Sequence, residues 1–180
     1  MDASQYAATT KLRDGSVVTV RAQRPTDFED IRAGFGHVGA ESIQRRFFAP
    51  KRGFSEAEVK YFLDIDFVQQ VALLAISPGG RVVGGCRYIV TSPGVAEVAF
   101  SVADDWQGRG LGSQLMRHLS GIAREQGLRE LVAEVLPENA SMLAVFRACG
   151  LPMQTRREDG VVHLVLQLAP HAQEPPRQPD

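Results

Sequence analysis

Residues 104–116 read DDWQGRGLGSQLM. Gly108, Gly110 and Gly112 alternate with other residues, Gln107 stands before them, and a leucine-spaced pattern begins at once. Glycine lets a backbone approach a ligand without side-chain obstruction. The first turn of a helix carries amides that lack an intrahelical acceptor, together with the positive end of the helix dipole. Alternating glycines at a helix entrance therefore predict an anion site, with phosphate or diphosphate as the natural guest. The competing reading is a glycine-rich turn that merely starts a helix. Two nucleotide signatures fail at this stretch. No Lys follows the glycines, as a Walker A loop requires, and Ser113 stands where GxGxxG needs its last glycine.

Working outward, Leu111, Leu115, Leu119 and Ile122 recur at helical spacing up to Gly127, which predicts an amphipathic helix. Before the glycines, VAEVAFSV (95–102) alternates as a strand. One face carries Ala96, Val98, Phe100 and Val102, and the other Val95, Glu97, Ala99 and Ser101. Further upstream, QQVALLAIS (69–77) and RVVGGCRYIV (81–90) flank PGG as an antiparallel hairpin. Downstream come a strand at 130–135, a helix at 140–150, and two strands near 153–158 and 161–168 around Asp159 and Gly160. The chain opens with a strand at 16–24 and a helix from 25, where Thr26 and Glu29 have capping-box spacing. Helices are also expected at 41–48 and from Ser55.

Consecutive strands imply antiparallel pairs, and the strand–helix–strand unit at 95–135 implies a parallel crossover. The expected fold is α/β (α+β): a mixed, mostly antiparallel sheet of about seven strands with helices on both faces. Residues 1–15 read as a flexible arm, 16–168 as a single domain, and the Pro-rich segment 169–180 as a disordered tail.

The 180 residues are 44% hydrophobic and 23% charged with a net charge of −1, which gives no global attraction to nucleic acid or membrane. The apolar run at Val71–Ile76 is far too short to span a bilayer, and the N-terminus lacks an apolar signal region. Cys86 and Cys149 form neither a framework nor a CxxC pair, so they read as reduced thiols of a cytoplasmic protein. No metal-ligand cluster is visible, and no His is placed for nucleophilic work.

Gln107-Gly108-Arg109-Gly110-Leu111-Gly112 resembles the Q/R-x-x-G-x-G/A signature of GNAT N-acetyltransferases. The similarity extends over residues 17–168, from the strand before the loop to Asn139 and the Gly150-Leu151 pair. It implies acetyl-CoA as cofactor. The diphosphate would lie on the backbone of Gln107, Gly108, Arg109, Gly110, Leu111, Gly112 and Ser113. The pantetheine arm would pair with Ser101, Val102 and Ala103, and Asn139 would contact the cofactor near its sulfur. Arg109 and Arg147 are candidates for the 3′-phosphate.

Acetylating an amine requires a neutral nucleophile, so a carboxylate must take its proton directly or through water. Glu97 is the sole acid on a small-residue strand face, and it matches a strand position where several GNAT protein acetyltransferases carry a general base. Glu134 is the second candidate. Where the family often has a Tyr that protonates the departing thiolate, this chain has Phe146. Another donor (Ser141, Tyr88 or water) would serve, or the thiolate would leave unprotonated, as a thiol of pKa about 8.5 permits. A protein that binds the cofactor without transferring from it is a further reading. Residues 41–75 resemble the corresponding part of bacterial protein-lysine acetyltransferases, notably Arg45-Arg46-Phe47-Phe48 with the later Asp64-Ile65-Asp66. That implies a lysine-bearing protein as acceptor, with a small amine as the alternative. Asp64, Asp66 and Glu97 would present a negative rim to an ammonium, and the resemblance makes a homodimer possible.

Overall fold

A computed structural model of the chain describes residues 1–35, 57, 60 and 63–168. Its strands are β1 (Ala7–Lys11), β2 (Val17–Ala22), β3 (Gln70–Ile76), β4 (Val82–Ser92), β5 (Val95–Val102), β6 (Glu130–Val135), β7 (Met153–Glu158) and β8 (Val161–Gln167). They hydrogen-bond as one sheet in the order β1-β2-β3-β4-β5-β6-β8-β7. Every neighbouring pair is antiparallel except β5–β6. That parallel pair is the one joined by a helical crossover, α2 (Leu111–Glu125); the other helices cited below are α1 (Phe28–Phe35) and α3 (Ala140–Ala148).

Strand alternation sorts the side chains between the two faces. Leu73 belongs to the main core with Leu115, Met116 and Leu119 of α2. Its neighbour Leu74 packs with Ile31 of α1 and with Val82 in a smaller cluster on the opposite face. Helices therefore cover both faces of the sheet, as expected. The periodic positions of α2 are its anchor: Leu111, Leu115, Met116, Leu119 and Ile122 are all 2% exposed or less. Burying side chains of this size stabilises by roughly 1.5–3 kcal/mol each, so packing fixes where the entrance of α2 points.

The sheet has eight strands where about seven are expected. The additional one is β1, within residues read as a loose arm. Its sequence, AATTK, carries no hydrophobic alternation; hairpin geometry and side-chain ties hold it instead. The turn closes at Gly15, in the left-handed region at φ 87°, with the Ser16 amide and hydroxyl both donating to Asp14 Oδ1. Tyr6 and Thr10 then fasten the strand to α2. The Tyr6 hydroxyl is 2.5 Å from His118 Nδ1, and Thr10 Oγ1 is 2.7 Å from His118 Nε2.

At the start of α1 the reach-back expected of Glu29 is made by Asp27, whose Oδ2 accepts from the Arg24 amide at 2.6 Å. Asp27 also takes a two-pronged ion pair from Arg21 of β2, at 2.8 Å on each prong. The helix expected at 41–48 and the tail at 169–180 lie outside the described residues. Of the helix expected from Ser55, residues 57, 60 and 63 are described, and they are helical.

Candidate active site

The parallel ladder between β5 and β6 is short. Val95 pairs with Glu130, Ala96 with Leu131 and Glu97 with Val132, and there the ladder ends. Beyond it β5 stays paired to β4 as far as Val102, and β6 stays paired to β8 as far as Val135. The two central strands therefore part inside the sheet and open a wedge. A cleft of about 400 Å³ occupies it, walled by Val98–Val102 on one side and Ala133–Val135 on the other. The glycine loop closes one end, and α3 contributes Met142, Val145 and Phe146.

The loop is shaped by its glycines for two different reasons. Gly108 and Gly110 lie in the left-handed region, at φ 74° and 86°, where a side chain is strained. Gly112 is needed for helix contact: a Cβ there would stand 2.9 Å from Val145 Cγ2 of α3. The loop thus brings the first turn of α2, Leu111 to Ser113, into the wall of the cleft while α2 and α3 stay in close contact.

Of the expected cofactor residues, the cleft brings together Ser101, Val102, Gln107, Gly108, Gly110, Leu111, Gly112, Ser113 and Asn139. Ala103 and Arg109 are not in its wall. Ala103 is buried, with its amide donating to Val83 O at 2.9 Å. Arg109 lies over Trp106, 4.6 Å from the ring centroid, and its guanidinium pairs with Asp14 and donates to Asp105 O. Its charge is shared with those partners and held away from the cleft. Arg13, which carries no signal in the local sequence, is in the lining instead.

Asn139 caps α3. Its Oδ1 accepts from the Met142 amide and the Ser141 hydroxyl, which leaves Nδ2 as the donor it can offer a ligand. An Asn immediately before a helical pattern is the sequence signal for such a cap.

Both candidate bases border the cleft. Glu97 is exposed on the last shared rung of β5 and β6. Glu134 is two residues beyond Glu97's partner Val132, and it pairs with His163 Nδ1 at 3.3 Å. The shared rungs put both carboxylates on the sheet face opposite the α2 core.

Phe146 is 2% exposed and meets Phe100 edge-on, with ring centroids 5.8 Å apart. Tyr88 is no substitute for the missing phenol. It is fully buried outside the cleft, donating to Gln126 Oε1 at 2.5 Å, and burial followed by the Asp66 charge raises its pKa far above the usual value. Ser141 does border the cleft. Asp66 cannot serve an acceptor rim. Its Oδ1 takes the amides of Val68, Gln69 and Gln70, and it lines a separate hollow beside residues 1–4. Of the thiols, Cys86 is buried and Cys149 donates to Phe146 O, so neither borders the cleft.

These residues fit a diphosphate joined to an extended amide-bearing arm. The amides at the α2 entrance suit the diphosphate, and the β5 edge past Glu97 offers ladder groups that β6 does not engage. A family model described as "Acetyltransferase (GNAT) family" matches residues 40–151. The chain belongs to the GNAT acetyltransferase family. It is an acetyl-CoA-dependent N-acetyltransferase. Acetyltransferase PA5475 of Pseudomonas aeruginosa is 33% identical over 158 residues, 84% of this chain and 85% of that protein. Acetyltransferase Pat of Mycolicibacterium smegmatis is 29% identical over 89% of this chain, which spans only 48% of that longer protein. The solved GNAT domain of S. lividans PAT is 39% identical with a TM-score of 0.84, covering 90% of this chain and 97% of that one. Among the described residues, no helix of this GNAT chain is long and apolar enough to cross a membrane. Nor do they hold a group of three or more His, Cys, Asp or Glu that could bind a metal ion.

Proposed function

We propose that the acceptor is the ε-amine of a lysine on a partner protein, acetylated by direct attack in a ternary complex with Glu97 as general base. One observation carries the assignment. Glu97 occupies the rung at which β5 and β6 separate, exposed at the head of the cleft. An incoming ammonium has no lone pair, and a carboxylate at that point can take its proton directly or through one water. Glu134 is already paired with His163, which makes it the weaker candidate.

Bound acetyl-CoA supplies an activated thioester. The amides of the α2 entrance, from Gly108 to Ser113, would hold its diphosphate, while the Ser101–Val102 edge and Asn139 would orient the arm along the wedge. Phe100, Phe146 and Ala133 give the cleft apolar walls that would exclude water around the arm. Phe146 has no proton to give; the Ser141 hydroxyl, which borders the cleft, or water would serve instead.

The lysine acceptor is supported by the resemblance of residues 41–75 to protein-lysine acetyltransferases and by the likeness to the S. lividans PAT domain. The test is to incubate the protein with acetyl-CoA and either lysine-bearing proteins or small amines, following thiol release and mapping acetyl groups by mass spectrometry. Acetyl-lysine on a protein is the expected product. Turnover confined to small amines would overturn this reading of the acceptor.

A further inference from the structure

The β1–β2 hairpin is absent from the expected site, yet its turn reaches the glycine loop. The Arg13 amide donates to Arg109 O at 3.2 Å. The Arg13 side chain lies against the position that a Gly110 Cβ would take, with Nε 2.9 Å and Cγ 3.4 Å from it. Gly110 is the N-cap of α2, so this side chain runs past the helix entrance itself. Among the described residues lining the cleft, Arg13 is the one cation. Its neighbour Asp14 does not neutralise it, because that carboxylate is committed to Arg109, 3.3 Å away, and to Ser16. No carboxylate among the described residues pairs with Arg13.

From this juxtaposition we propose that Arg13 binds a phosphate of coenzyme A, which makes the N-terminal hairpin part of the cofactor site. The inference rests on the glycine loop holding the diphosphate. A guanidinium fork matches phosphate geometry, and being exposed it reaches the ligand without prior desolvation. The hairpin is also held in place for the task. His118, on the same helix as Gly110, takes both Tyr6 and Thr10. A cation carried on a loose arm would lose affinity to the entropy of ordering it; one fixed to α2 does not.

The test is calorimetric binding of coenzyme A, 3′-dephospho-coenzyme A and phosphate-free pantetheine to the full chain and to its Arg13→Ala and Arg13→Lys variants. Arg13→Ala is expected to weaken coenzyme A about tenfold, as for the loss of one charge-assisted hydrogen bond, with partial recovery in Arg13→Lys. Pantetheine affinity should not change. The salt dependence of coenzyme A binding should become shallower in Arg13→Ala, which a merely structural role would not produce. A loss that vanishes with 3′-dephospho-coenzyme A assigns the contact to the 3′-phosphate; a loss that persists assigns it to the diphosphate. Wild-type affinity in Arg13→Ala, or an equal loss for pantetheine, would overturn the proposal while leaving the glycine-loop site intact. Wild-type protein that binds no coenzyme A would remove both.

Discussion

Glu97 and Val132 form the last rung of the β5–β6 ladder, and the cleft begins immediately beyond them. If Glu97 is the base, Glu97→Gln should lower turnover at neutral pH by about 10²- to 10⁴-fold. The affinity for acetyl-CoA should stay within about twofold, because the amide is isosteric and the cofactor donors are elsewhere. Glu134→Gln should have a much smaller effect. Thiol-release kinetics with parallel calorimetry separate the two quantities, and a Glu97→Gln enzyme of unaltered kcat removes that residue from the mechanism.

Two glycines of α2 should respond to the same substitution with opposite signs. At Gly112 a Cβ would stand 2.9 Å from Val145, so Gly112→Ala should destabilise by roughly 1–3 kcal/mol through overpacking. At Gly121 a Cβ meets nothing within 4 Å, so Gly121→Ala should stabilise by about 0.5–1 kcal/mol through helix propensity. Urea unfolding midpoints of the two variants give the signs directly.

The His118 clasp predicts a pH dependence of stability. Burial, and then the Arg117 charge, push the His118 pKa below its usual 6.5, so the folded protein favours the neutral ring. The unfolded chain takes up this proton first. The contribution is complete above about pH 6.5 and is lost as pH falls from there toward the folded pKa. The drop in stability between pH 7.5 and 5.5 should be smaller in His118→Asn than in the wild type. An identical drop in both would show that the clasp does not titrate.

Arg21 and Asp27 hold α1 against β2 with side chains 17% and 5% exposed. Burial raises the Asp27 pKa, but the Arg21 hydrogen bonds and the Arg24 amide outweigh it and leave the carboxyl below its usual 3.8. Asp27→Ala strands a largely buried guanidinium and should cost about 3–5 kcal/mol; removing both partners together should cost less than the sum of the single changes. The pair's contribution persists above about pH 3.8 and fades as pH falls through the lowered pKa. A double-mutant cycle read by chemical denaturation measures the coupling.

The parts of the fold that are legible in the sequence are those with a strong period. The α2 leucines and the two faces of β5 fall where their spacing puts them, because burial on one side is what that spacing encodes. β1 is not legible, because five residues of AATTK carry no apolar alternation and its stability comes from Tyr6, Thr10 and a helix more than a hundred positions away. Asp14-Gly15 is a usable hairpin signal that the polar composition around it obscures. Arg109 shows the same limit within the site. Its position inside the motif favours a ligand, whereas Asp14, Trp106 and the Asp105 carbonyl claim it through tertiary contacts that no local pattern records. The roles of Gly108 and Gly112 look alike in sequence and differ in kind: one sets a backbone angle, the other a helix-to-helix distance.

The parting of β5 from β6 also makes this a protein whose endurance depends on its surroundings. Past Glu97 and Val132 the facing margins of β5 and β6 are not paired with each other, so a molecule that binds between them acts on the unfolding equilibrium as well as on the reaction. By mass action, occupancy at a hundred times the dissociation constant adds about 2.7 kcal/mol, and none of that gain exists in its absence. Resistance to heat and proteases should therefore rise and fall with the supply of acetyl donor.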